Sequence, residues 1–122
     1  MGVVYHANYL NWFEVGRTEW IRSLGMTYAD LERKGLYLPV TEAQVRYIKP
    51  ARYDEWVNVG VRLSDFSHVR LGFEYEVRRE EDGELLASGL SRHVWVNRAW
   101  KPVRIDREAP EFYSVIFRQY AV

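Results

Sequence analysis

Apolar residues recur close to helical spacing between Tyr9 and Leu24, through Leu10, Trp12, Phe13, Trp20 and Ile21, while Glu14, Arg17, Glu19 and Arg22 fill the rest of the wheel. The spacing predicts one helix over residues 8–25, about four to five turns long. Asn8 is its expected N-cap and Gly25 the expected residue just past its end. Residues 27–34 read as a short second helix closed by Gly35. The period then drops to two. Val57, Val59, Val61 and Leu63 alternate with Trp56, Asn58, Gly60 and Arg62, and Val69, Leu71, Phe73, Tyr75 and Val77 alternate with Arg70, Gly72, Glu74, Glu76 and Arg78. Such alternation is the pattern of half-buried antiparallel strands.

Residues 64–68 are expected to join that pair, and the turn Glu81-Asp82-Gly83 leads into a strand over 85–97, in which Leu86, Leu90, Val94 and Val96 mark one face. A further strand is expected over 38–48. Lys49-Pro50 and the residues to Asp54 link it onward, since Pro50 cannot donate to a ladder. Lys101-Pro102 ends the last strand, and residues 108–120 read as a short amphipathic helix or an extended tail. One buried helix followed by long antiparallel strands is an α+β architecture in which the helix covers one face of the sheet.

Composition narrows the chemistry. The 122 residues, 48% hydrophobic, suit a single domain over residues 1–122. A formal charge of +0 supplies no basic field for nucleic acid, which is not an expected partner. The chain has no cysteine and three histidines, so thiolate nucleophiles and thiolate metal sites are excluded. His68 and His93 lack the spacing of metal ligands with His6, and neither a metal nor a cofactor is expected. No apolar run approaches the roughly 20 residues of a membrane span, and the start MGVVYHANYL has no secretory pattern, so a cytoplasmic protein is expected.

The segment GVVYHANYLNWFEVGR, a glycine-containing loop leading into a long apolar helix, is the most specific stretch. It resembles the signature of the 4-hydroxybenzoyl-CoA thioesterase-like branch of hotdog proteins, which includes short acyl-CoA thioesterases associated with the Tol-Pal locus. VRYIKPARYDEW, the ASG and HVWVN pieces of residues 87–97 and the later KPVRI are similar to that family as well, so the likeness runs along nearly the whole chain.

The resemblance implies a hotdog fold, an antiparallel sheet wrapped around a long central helix. It also implies pairing of subunits into a continuous sheet, in a homodimer or homotetramer, and an acyl-CoA substrate lying between protomers. In the family an Asp within D-x-D-x-x-G-x-V-Y, ahead of the Gly2 equivalent, is nucleophile or general base. Two readings account for its absence here. The favoured one is a natural chain that begins upstream of Met1, because the family's first strand is missing together with the Asp; the other is a protein without the usual carboxylate.

A thioester oxygen gains negative charge under attack, and free N–H groups at a helix N-terminus are fixed donors for such an anion. The resemblance makes the His6 backbone amide the oxyanion donor and its imidazole a group that orients thioester or water, with Gly2, Val4 and Tyr5 lining the site and Asn8 shaping the helix start. The alternative for His6 is a loop residue that only hydrogen-bonds the helix start. Glu14 is a candidate catalytic carboxylate, because some other hotdog thioesterases use a helical one; an ion pair with Arg17 is the favoured reading of the residues themselves. Arg46, Lys49 and Arg52 around Pro50, with Lys101 and Arg104 after the last strand, are candidates for the CoA phosphates. Trp12, Phe13, Tyr37 and Trp56 are expected in the core or at an interface, and His93 as a satisfied structural residue. The expected activity is hydrolysis of a short-chain or aromatic acyl-CoA. The alternatives are a non-catalytic acyl-CoA-binding module and, less favoured because no H-x-x-x-x-P-G surrounds His6, a hotdog dehydratase.

Overall fold

A computed structural model describes residues 7–52 and 54–120. Helix α1 (Ala7–Ser23) leads to α2 (Tyr28–Arg33), then β1 (Val40–Tyr47), β2 (Val57–Phe66), β3 (Arg70–Arg79) and β4 (Leu85–Val94), and the chain finishes with α3 (Ile105–Glu108) and α4 (Pro110–Tyr120). The strands form one antiparallel sheet in the order β1-β4-β3-β2. The α+β expectation and the hotdog arrangement hold, with α1 packed on one sheet face.

The α1 interface carries most of the core. Tyr9, Phe13 and Ile21 are buried, whereas Leu10 is 45% exposed and does not belong to the buried stripe. Gly25 adopts φ +90, the left-handed backbone expected just past a helix end. The cap lies elsewhere than predicted. Because α1 is already formed at Ala7, a strong helix former, Asn8 sits inside the first turn, and a polar residue one position inside a helix looks in sequence like a cap. The sheet-side partners are Leu71, Phe73, Tyr75 and Val77 of β3, all buried as the alternation predicted.

β4 departs from its predicted face. Its helix-facing positions are Ala87, Gly89, Ser91 and His93, while Leu90 and Val94 lie on the other face. The register shift beside Arg78 lets Leu86 join the core. Small and polar residues stand where α1 approaches closely, so hydrophobicity marked the wrong side. A Cβ on Gly89 would lie 2.4 Å from the Gln44 carbonyl oxygen and 2.5 Å from the Phe13 ring. Gly89→Ala is therefore expected to destabilise the fold by about 2 kcal/mol through overpacking, read from urea midpoints at constant m-value.

β2 runs through a register irregularity between Leu63 and Asp65 and continues to Phe66, beyond the connection expected at 64–68. Phe66 stacks on Tyr113 of α4, and Phe112 and Ile116 of that helix are buried, which settles residues 110–120 as a helix. The last strand is shorter than expected: β4 ends at Val94 rather than at Asn97, well before Lys101-Pro102, and Val96 beyond it makes isolated bridges to Tyr37 and Pro102.

Candidate functional site

Three elements meet at the N-terminal end of α1. Tyr9 in its first turns is 2% exposed and packs edge-on against Trp12 and against Tyr47 at the end of β1, with ring centroids 4.9 and 5.0 Å apart. Its hydroxyl accepts the Ala51 N–H at 3.3 Å. The segment after β1 is thereby held against the helix, while the Ile48 and Lys49 amides both donate to the Leu86 carbonyl.

This segment brings Lys49 and Arg52 to the same end of the sheet. Lys49 is ion-paired with Glu84. Arg52 is exposed, its amide donates to the Glu55 carboxylate at 3.0 Å, and no carboxylate among the described residues pairs with its guanidinium. Of the other three candidate cations, Arg46 and Lys101 are not brought there and Arg104 is engaged locally. Arg46 lies opposite Ser88 on the sheet face away from α1, beside a depression of about 700 Å³ that it lines with Gly60, Arg62 and Glu76. Lys101 follows the far end of β4, beyond His93, which six residues of strand separate from Ala87 by about 20 Å. Arg104 is bound to Asp106 and reaches His68 at 3.0 Å. Strand parity and direction, which the local charge pattern around Pro50 and Pro102 does not carry, account for both corrections.

Glu14 is exposed on α1, and the expected ion pair with Arg17 is not formed. Arg17 instead turns to Tyr28. Burial pushes the Tyr28 hydroxyl up to about 12, with the Arg17 guanidinium pulling in the opposite direction. No described residue forms an ion pair with Glu14, and its charge acts on the Tyr28 hydroxyl. Asn8 is half-buried at that end. Gly2, Val4, Tyr5 and His6 lie outside the described residues.

Beneath α1 a buried polar chain crosses the sheet. Tyr75 and Ser91 hydroxyls are 2.5 Å apart, the Ser91 hydroxyl is 2.8 Å from His93 Nε2, and His93 Nδ1 is 3.3 Å from the Leu38 carbonyl. A carbonyl only accepts, so Nδ1 carries the proton, Nε2 accepts from Ser91, and Tyr75 donates to Ser91. His93 is 1% exposed, and burial followed by the nearby Arg17 charge pushes it down to about 4. It is a satisfied structural histidine, as expected. Sequence reasoning missed Tyr75 and Ser91 here; the signal was Ser91 and His93 two apart on one strand, which places both on one face.

The aromatic expectations divide. Phe13 is core, stacked on Tyr75 at 4.3 Å, and Tyr37 stacks on Trp100 at 6.1 Å. Trp12 is half-buried, but Trp56 is 80% exposed and is not part of the core. Among the described residues no helix is long and apolar enough to cross a membrane.

Comparison with known proteins places this geometry. The family model described as Thioesterase-like superfamily matches residues 1–115. YneP of Bacillus subtilis is 36% identical over 115 residues, 93% of this chain and 83% of that protein. The acyl-CoA thioesterase YbgC of Haemophilus influenzae is 35% identical over 79 residues, covering 64% of this chain and 58% of YbgC. Among solved structures, a DHNA-CoA thioesterase from Staphylococcus aureus superposes with a TM-score of 0.94 at 38% identity, covering 99% of this chain and 81% of that one.

Proposed function

We propose that this chain, which belongs to the thioesterase-like superfamily and hydrolyses acyl-CoA thioesters, takes an aromatic acyl group and uses Glu14 as its catalytic carboxylate. The observation that carries the Glu14 assignment is its carboxylate, exposed on the helix over which the resemblance runs and left without the Arg17 partner. The Trp12 and Tyr47 rings, each packed on the buried Tyr9 near the helix start, favour an aromatic acyl group over a long flexible one.

The reaction needs a base and an oxyanion site from the protein. Glu14 takes a proton from water, and the resulting hydroxide attacks the thioester carbonyl carbon. The oxygen of the tetrahedral intermediate is held by N–H donors at the start of α1, the role the sequence resemblance gives to the His6 backbone amide, with Gly2, Val4 and Tyr5 lining the site. Collapse breaks the C–S bond and releases CoA thiolate, which is stable enough to leave without much protonation, and the free acid. Asn8 in the first turn borders the helix start and shapes it.

The assembly proposed with it is a homodimer that joins β1 edges into a continuous sheet, and its pairing into a homotetramer. β1 stands at the edge of the strand order and exposes Val40, while Tyr47 at its end and Ile48 just beyond are exposed too. An open edge with apolar side chains invites a further strand. The cytoplasm, where CoA thioesters are formed and used, is the proposed location.

Thiol release from a panel of short aliphatic, long aliphatic and aromatic acyl-CoAs tests this reading, with DHNA-CoA as the first aromatic member. The expected result is the highest kcat/KM for an aromatic member. Preference for a long aliphatic chain overturns the acyl assignment, and absence of any turnover by folded protein that still binds CoA points to a binding module.

A further inference from the structure

We infer that Tyr9 is a positioning residue that sets the affinity for the nucleotide end of the substrate: its buried hydroxyl clamps the Ala51 amide and holds the Arg52 guanidinium where it meets CoA phosphate. This rests on the acyl-CoA reading above and deepens it.

Among the described residues, residues 48–52 and Glu55 have several separate ties. Ile48 and Lys49 share the Leu86 carbonyl, Lys49 pairs with Glu84, Ala51 donates to Tyr9, and the Arg52 amide donates to Glu55, itself ion-paired with Arg79. Among the described residues, only the Tyr9 contact joins the segment to the helix by a hydrogen bond; the others join it to the sheet or to itself. Tyr9 and Ala51 are 2% and 1% exposed, so water cannot readily replace the hydroxyl as acceptor. The contact fixes how far the segment stands from the start of α1.

Of the cations near the segment, Lys49 is neutralised by Glu84 and Arg46 points to the opposite face. Arg52 remains as an exposed guanidinium without a carboxylate partner among the described residues, one residue from the clamp. A guanidinium fork suits a phosphate geometrically and electrostatically. Pro50 stiffens the approach, so moving Ala51 moves Arg52 with it.

The test compares an aromatic acyl-CoA with the same acyl group on N-acetylcysteamine, which keeps the thioester but lacks every phosphate. Tyr9→Phe keeps the ring packing and deletes only the hydroxyl; Arg52→Gln removes the charge. For acyl-CoA each variant is expected to raise KM about 5- to 10-fold at unchanged kcat, the size of one exposed charged contact. For the N-acetylcysteamine thioester KM stays unchanged, and the double variant is no worse than Arg52→Gln alone, because Tyr9 acts through Arg52. Equal effects on both thioesters, a fall in kcat, or additive losses overturn the inference and assign Tyr9 to general stability. Calorimetric Kd values for CoA itself give the same reading without catalysis. Wild type that binds CoA but hydrolyses nothing removes the enzymatic reading alone, whereas equal CoA affinity in wild type and both variants removes only this one.

Discussion

Glu14→Gln is expected to lower kcat for the best aromatic acyl-CoA roughly 100- to 10,000-fold, the range a positioned general base contributes. The substitution keeps the shape and removes the ability to take a proton. Structure offers little else for it to disturb: Glu14 is exposed and has no ion pair among the described residues. KM and thermal stability should therefore stay close to wild type. Single-turnover rates distinguish the chemical step from product release. A variant that hydrolyses at the wild-type rate removes Glu14 from the mechanism while leaving the thioesterase activity standing, and transfers the base role to a group outside the described residues.

Acid should weaken the fold well before the carboxylates titrate, because of His93. Its imidazole is neutral in the folded state and depressed from 6.5 to about 4, first by burial and then by Arg17. A group whose folded value is depressed binds more protons when unfolded, so stability is fully present above about pH 6.5 and falls as the pH drops toward 4. The loss across that window is on the order of 3 kcal/mol. Protonation also ends the acceptance of the Ser91 hydroxyl at Nε2 and leaves two donors facing each other. Urea midpoints between pH 7.5 and 4.5 should trace the decline, and NMR titration of the His93 ring should show it uncharged at pH 5. In His93→Gln the slope over this window should flatten; if that variant does not fold, Ser91→Ala keeps the imidazole buried and should keep the slope. Wild-type stability independent of pH from 6.5 to 4.5 contradicts the assignment.

The remaining consequences concern how the chain encodes these features. α1, α2, the four strands and the turn at Gly83 were legible because each rests on a local signal: helical or alternating spacing, a glycine at a left-handed position, a proline that ends a ladder. The family was legible as well, from GVVYHANYLNWFEVGR and the later matching pieces. The errors share a different cause. Leu90 on β4 looked like core and Ser91 and His93 did not, yet the strand turns its small and polar side toward α1, since Phe13 leaves no room for a larger residue at Gly89. The Glu14 to Arg17 spacing permitted an ion pair, but Tyr28, eleven residues on, competes for the guanidinium.

Sequence by itself thus determined the element types, the α+β class and the family, because backbone propensity and hydrophobic period act over a few residues and survive without tertiary partners. Only the tertiary structure decided which face of β4 meets the helix, that Glu14 forms no ion pair with Arg17, and that Tyr9 reaches Ala51 forty-two positions away. These depend on strand order and on which side chains compete for the same volume or the same partner, and neither quantity is carried by any short stretch of the chain.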